Sequence, residues 1–278
     1  MTDKGPDRPA GGQRGADAMT EIPFFQVDAF SKELFSGNPA GVCLLERWLG
    51  DAVLQAIAAE NNLPETAFLV KGEERYELRW FTPEVEVDLC GHATLASGHV
   101  IFTCLEPQLA RVEFTTKSGK LAVEKRDGLL FLDFPSRKPT RCAPPERLRE
   151  ALGAAPTDVL RSRDLLVVFE DEATVRELRP DLAAIAGMDC FALIVTAPGN
   201  DSDFVSRFFA PSAGIPEDPV TGSAHCTLVP YWSERLGRKN LHAFQLSRRG
   251  GELFCVDQGD RVLIGGRAVT YLRGAIEL

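Results

Sequence analysis

The chain has 278 residues, 44% hydrophobic and 26% charged, which is the composition of an ordinary globular protein with room for one large domain or two of common size. A formal net charge of −9 argues against nucleic acid as a partner, because phosphate binding needs clustered Lys and Arg, and no apolar run approaches the roughly 18–20 residues that cross a bilayer. Seven cysteines, scattered without CxxC spacing, fit reduced thiols and a cytoplasmic setting better than a disulfide framework.

In chain order, residues 1–20 are rich in Gly, Asp and Arg and lack an apolar stretch, so they read as a disordered tail and not as a secretory signal. Residues 24–28 and 40–45 read as strands flanking the turn-like Ser36-Gly37-Asn38-Pro39. Residues 51–60 open on an Asp and carry an apolar stripe of Val53, Leu54, Ile57 and Ala58, which predicts an amphipathic helix. A strand is expected over 65–70. Over 75–81, polar residues alternate with Tyr76, Leu78 and Trp80, the period of a strand with one buried face. Further strands are expected over 111–115, 129–134, 165–169, 191–196, 204–209, 241–246, 253–256 and 262–264.

Two segments break this pattern and resemble each other. Residues 90–102 and 220–232 each follow a loop with Pro and acidic residues, open near a Gly, run through small residues and end on an aromatic. A helix of Gly, Ala, Ser and Thr has little bulk, so it suits the centre of a domain wrapped by a sheet. One such helix in each half predicts two similar α+β lobes, over residues 21–117 and 118–278, with a C-terminal strand free to return to the first.

The start of each small-residue helix presents backbone N–H groups without intrahelical partners and the positive end of the helix dipole. Two such starts, at Gly91 and Gly222, would together hold an anion such as a carboxylate; singly, each glycine serves tight packing equally well. Among ionisable groups, Glu65 follows Asn62-Leu63-Pro64 at a helix-to-strand junction, where a carboxyl acts as general acid or base if burial tunes its proton affinity, and is merely solvated otherwise. Asp218 precedes Pro219 and could cap the second helix or act in the site. His92 lies in the first turn of its helix, available to a substrate or to a packing niche. The Cys90 thiol beside a helix start would have a lowered pKa, whereas a lone Cys is more often a small buried apolar residue. Asp88, Cys90 and His92 lack a second Cys/His pair at metal spacing, so no metal is expected. Neither GxGxxG after a strand nor GxxxxGK[ST] occurs, so no nucleotide cofactor is expected either.

Taken together, Val27-Asp28-Ala29-Phe30, Gly37-Asn38-Pro39-Ala40, Asn62-Leu63-Pro64-Glu65-Thr66-Ala67-Phe68, Arg79-Trp80-Phe81-Thr82-Pro83, Cys90-Gly91-His92-Ala93-Thr94 and Glu217-Asp218-Pro219-Val220-Thr221-Gly222-Ser223-Ala224 resemble the PhzF family, over roughly residues 22–276. The resemblance implies the diaminopimelate-epimerase fold: two pseudo-symmetric lobes, each a curved, mostly antiparallel, barrel-like sheet around a central helix, with the site between them. It implies a cofactor-independent isomerase and homodimer, in which Glu65 moves a proton and His92, Asp218 and Ser223 help hold a small carboxylate-bearing substrate. Cys90 stands where epimerases and proline racemases of this fold keep one of two catalytic thiols. The matching place before Thr221-Gly222 has none, and Cys226 lies beyond it, which argues against a two-thiol racemase. Cys90 is left as a candidate accessory group. Two other readings stay open: a hydrolase or lyase using Cys90 or Glu65, and a binding module that keeps the fold.

Overall fold

The computed structural model describes residues 21–278, and the tail expected over 1–20 lies outside them. The first half carries β1 (Glu21–Ala29), β2 (Asn38–Leu45), β3 (Glu65–Lys71), β4 (Tyr76–Phe81), β5 (Glu86–Val87), β6 (Arg111–Thr116), β7 (Gly119–Arg126) and β8 (Leu129–Pro135). The second carries β9 (Thr140–Arg141), β10 (Asp158–Arg161), β11 (Leu165–Val168), β12 (Leu193–Pro198), β13 (Phe204–Phe209), β14 (Asn240–Gln245), β15 (Gly251–Asp257), β16 (Arg261–Gly266) and β17 (Ala268–Glu277). The helices are α1 (Asp51–Asn61), α2 (Gly91–Val100), α3 (Leu148–Leu152), α4 (Glu172–Glu177), α5 (Leu182–Ala186) and α6 (Gly222–Leu236), and a π-helical turn, Ile101–Leu105, prolongs α2. Each strand expected from sequence is present, most with ends within two residues.

Hydrogen-bonded neighbours form one path: β17-β1-β2-β3-β4-β6-β7-β8, then β16-β15-β14-β13-β12-β11-β10-β9. The link between halves is the antiparallel pairing of β8 with β16, Leu132 opposite Ile264. The last strand, β17, returns to lie antiparallel against β1. Among the described residues no pairing joins β17 to β8 or β9 to β16, so each half is an open wrap, a curved, mostly antiparallel sheet around a central helix as expected.

What the sheet wraps explains its curvature. α2 touches β1, β2, β3, β7, β8 and β17 of one sheet, which a flat sheet would not allow. Residues His92 to Gly98 are all buried, so α2 is a core helix on every side, as its lack of bulk permits. Its hydroxyls cost nothing there, because Thr94 donates to Cys90 O and Ser97 to Ala93 O. α6 holds the matching place among β14, β15 and β16, and its buried Trp232 donates Nε1–H to Thr196 Oγ1 at 2.9 Å. The other helices lie outside the wrap. α1 packs Leu54, Ile57 and Ala58 against Cys43 and Phe68 of β2 and β3, while α3, α4 and α5 cover β11–β13. No helix among the described residues is long and apolar enough to cross a membrane.

The tightness of the wrap is testable at Gly98, where an added Cβ would fall 2.8 Å from Val123 Cγ1 and 2.9 Å from Val123 Cβ of β7. Helix propensity alone favours Ala over Gly by about 1 kcal/mol, but overpacking a full core costs about 1–3 kcal/mol, and a Cβ cannot rotate away. Gly98→Ala is therefore expected to lower urea-unfolding stability by up to about 2 kcal/mol, the difference of those two effects. A variant as stable as the parent would show that α2 is not so closely enclosed.

Candidate active site

The site begins where α1 stops. Asn62 adopts a left-handed conformation (φ 49°) and donates its N–H to Ala58 O, and Pro64 prevents any further helix, so the chain turns straight into β3 with Glu65 as its first residue. β3 runs parallel to β2 with Glu65 opposite Ala40, which brings Glu65 and Asn38 to the same end of neighbouring strands. That end faces the start of α2. Cys90 is the N-cap of α2 and Thr221 that of α6, both with extended backbone and neither capping its helix with a side chain. The two helix starts meet backbone to backbone: a Cβ added to Gly91 would sit 3.6 Å from Gly222 Cα, and one added to Gly222 would sit 3.7 Å from Gly91 Cα. A methyl group would find ordinary contact there, but it would fill the space between the two sets of free N–H groups.

Three of the residues expected from sequence gather on the α2 side. Glu65 Oε2 lies 3.1 Å from His92 Nε2, an ion-pair distance without hydrogen-bond alignment, so Nε2 has no hydrogen-bond partner among the described residues. On the other edge of the same imidazole, Cys90 Sγ lies 3.5 Å from Nδ1. Burial opposes a charged imidazole, yet Cys90 and Glu65 together outweigh it and hold the pKa of His92 well above 6.5. Burial dominates at Cys90, with Glu65 adding to it, so the thiol pKa is raised. The lowering expected from the helix start is overridden by desolvation.

Asp218, Gly222 and Ser223 gather on the α6 side. Asp218 Oδ1 accepts a hydrogen bond from Asn38 Nδ2 at 2.9 Å, and its Oδ2 accepts from the Thr221 hydroxyl. The carboxyl keeps some exposure but is closely ringed by protein. Desolvation lifts its pKa to about 6, against the pull of His92, Thr221 and Asn38 and with the help of Glu65. Ser223 is partly exposed in the first turn of α6, and its hydroxyl makes no hydrogen bond among the described residues.

Two further residues shape the site without having been singled out from sequence. Asn38 is fully buried and donates Nδ2–H to both Asp218 Oδ1 and Val220 O, which ties the start of β2 to the loop before α6. Gln245 on β14 accepts from Thr221 N–H at 2.8 Å and donates to Asp218 O and Thr221 Oγ1, holding the loop from the other side. Asn38 stood within a quoted motif, Gly37-Asn38-Pro39-Ala40, but Gln245 sits inside a strand with no local sign of its partners.

No metal was expected, yet Glu65, Cys90 and His92 bring donor atoms within 4.8 Å of one another. Their arrangement is poor for one ion. Cys90 faces Nδ1 and Glu65 faces Nε2, so an ion bound to either nitrogen would require the residue on the opposite edge to swing round.

The description "Phenazine biosynthesis-like protein" matches residues 27–274. The chain belongs to the PhzF family. An uncharacterized isomerase of Pseudomonas aeruginosa is 53% identical over 259 residues, covering 93% of this chain and 99% of the relative. A PhzF family crystal structure from Enterococcus faecalis superposes with a TM-score of 0.92 at 48% identity, covering 93% of this chain and 100% of that one. A hydroxyproline epimerase from Agrobacterium vitis, at 12% identity and a TM-score of 0.60 over 93% of each chain, shares the fold alone, which is the diaminopimelate-epimerase-like architecture of PhzF proteins.

The Asn38–Asp218 bond gives a direct test in this PhzF protein. Asn38→Ala removes a donor that favours the carboxylate, so the Asp218 pKa, followed by carboxyl ¹³C NMR, should rise above about 6. An unchanged or lower value would show that Asn38 does not hold Asp218. Because folding raises this pKa from 3.8, the stabilising contribution of Asp218 is full below about pH 4 and is lost as pH climbs through about 6.

Proposed function

We propose that the chain is an isomerase that moves a proton beside a carboxylate in a small metabolite, with Glu65 as general acid and base and without a cofactor. The observation that carries this reading is the 3.1 Å approach of Glu65 to the buried His92 where two helix starts meet. Relatives at 53% and 51% identity bear the name isomerase, which supports the same reaction class. A homodimer working in the cytoplasm belongs to the same reading.

The chemistry follows from the charges. The substrate carboxylate lies against the N–H groups of Gly91, His92, Gly222 and Ser223, with the His92 imidazolium, Asp218 and Ser223 holding its polar groups. Glu65 takes a proton from the carbon beside that carboxylate. The electron pair left behind is shared between the carboxylate, whose growing charge the fixed helix-start dipoles stabilise without reorganising, and an adjoining C=C bond of the substrate. Glu65, now a carboxylic acid, returns the proton to the far carbon of that bond, and the double bond moves one position toward the carboxylate, so no oxidant or reductant is consumed. One carboxyl suffices for a shift along one face of the substrate. Cys90 is a weak alternative nucleophile, because burial keeps it a thiol.

Two outcomes test the reading. A metabolite extract incubated with the protein in deuterated water is expected to acquire deuterium in one carboxylate. Glu65→Gln should slow that exchange by about 10²–10⁴-fold while leaving binding within about tenfold, because Gln keeps the shape of Glu and cannot carry the proton. Cys90→Ala should do much less. Loss of exchange in Cys90→Ala with Glu65→Gln nearly unaffected would make the thiol the catalyst. Turnover is also expected to survive exhaustive dialysis against a chelator; stoichiometric metal by elemental analysis, with activity lost on its removal, would overturn the cofactor-free mechanism.

A further inference from the structure

We propose that the opening between β17 and the β7–β8 hairpin is a second binding site, separate from the cleft at Gly91 and Gly222, for a small organic anion with an apolar body. The opening exists because the first half of the sheet does not close: among the described residues β17 pairs only with β1, and β8 turns away to β16. It forms a cavity of about 340 Å³, within the range that holds small ligands.

Its lining is chemically one-sided. Lys32, Lys125 and Arg267 contribute cations, and no Asp or Glu among the described residues lines it, in a chain with 40 acidic against 31 basic residues. Among the described residues neither Lys32 nor Lys125 makes a salt bridge. Arg267 does, to Glu252 at 3.0 Å, which fixes its position at the rim. The floor is apolar. Phe102 and Leu130 line it, and Lys125 Nζ lies 5.5 Å from the centre of the Phe102 ring. His99 completes the wall with its Nε2 3.0 Å from Thr270 Oγ1, and burial holds its pKa at about 4, so it offers a neutral polar edge.

Two backbone irregularities converge on the same place. Phe102 and Thr103 belong to the π-helical turn Ile101–Leu105, which re-aims side chains that a regular helix would direct elsewhere. The β1–β17 register slips where Gln26 pairs with Leu272 but Val27 pairs with Thr270, leaving Tyr271 as an extra residue two positions from the lining Val269. The cations would bind the anionic head, carboxylate or phosphate, and Phe102 and Leu130 the apolar body.

Benzoate and phenylphosphate serve as probes, with benzamide as a neutral control and ¹⁵N amide shifts locating the bound molecule. Both lysines are exposed, so Lys32→Gln with Lys125→Gln should fold as the parent does, which near-ultraviolet circular dichroism checks. Saturable shifts at His99, Thr103 and Gly128 are expected with one or both anions, weakened at least about tenfold in the double variant (about 1.4 kcal/mol) and unchanged in Glu65→Gln. A carboxylate preference and a phosphate preference would each identify the head group. Shifts confined to Gly91 and Gly222, binding of benzamide as tight as that of the anions, or full affinity in the double variant would each overturn the proposal.

Discussion

Two helix starts brought so close at Gly91 and Gly222 that a single added Cβ would touch the opposite backbone set the terms for the rest of the molecule. Each carries roughly half a positive charge, so bringing them together is unfavourable unless negative charge lies close by. Glu65 on one side and Asp218 on the other supply it. The helices themselves reach this position only because the residues from His92 to Gly98 are small enough for a sheet to bend around them, and α6 is enclosed in the same way. Packing and electrostatics thus meet at one point: the same glycines that let backbone approach backbone leave free N–H groups facing the acids.

Protonation in this centre is shared among neighbours. Burial alone would make His92 neutral, but Glu65 at 3.1 Å and Cys90 at 3.5 Å keep it charged. Burial alone would also raise Asp218 further, but His92, Thr221 and Asn38 restrain it at about 6. Asp218 therefore depends on the other half of the chain. Asn38, from the second strand, donates to Asp218 and Val220, 180 and 182 residues later, so the loop before α6 cannot shift without disturbing the α2 side.

Much of this was legible in the sequence, for identifiable reasons. The alternation at Tyr76, Leu78 and Trp80 marked β4, the stripe of Leu54, Ile57 and Ala58 marked α1, and Asn62-Leu63-Pro64 marked the junction that delivers Glu65. The two small-residue segments stood out because few other roles suit such a composition. Elements without a period were invisible. β7 is largely charged, β17 is mostly exposed, and α3, α4 and α5 span five or six residues, less than two turns. At Cys90 the sequence offered two opposed effects, a helix start and burial; only the depth of the site showed that burial wins. Gln245 illustrates the same limit, because nothing local in a strand reveals that its amide holds a loop 24 residues earlier.

The central claim is that the paired helix starts, with Glu65 and His92 beside them, form one carboxylate-binding centre. Titrating ¹⁵N-labelled protein with malonate and following backbone amides tests it most directly. The account predicts that Gly91, His92, Gly222 and Ser223 shift together with a single dissociation constant. Shifts in only one of the two helix starts, or none at either while malonate binds elsewhere, would contradict it.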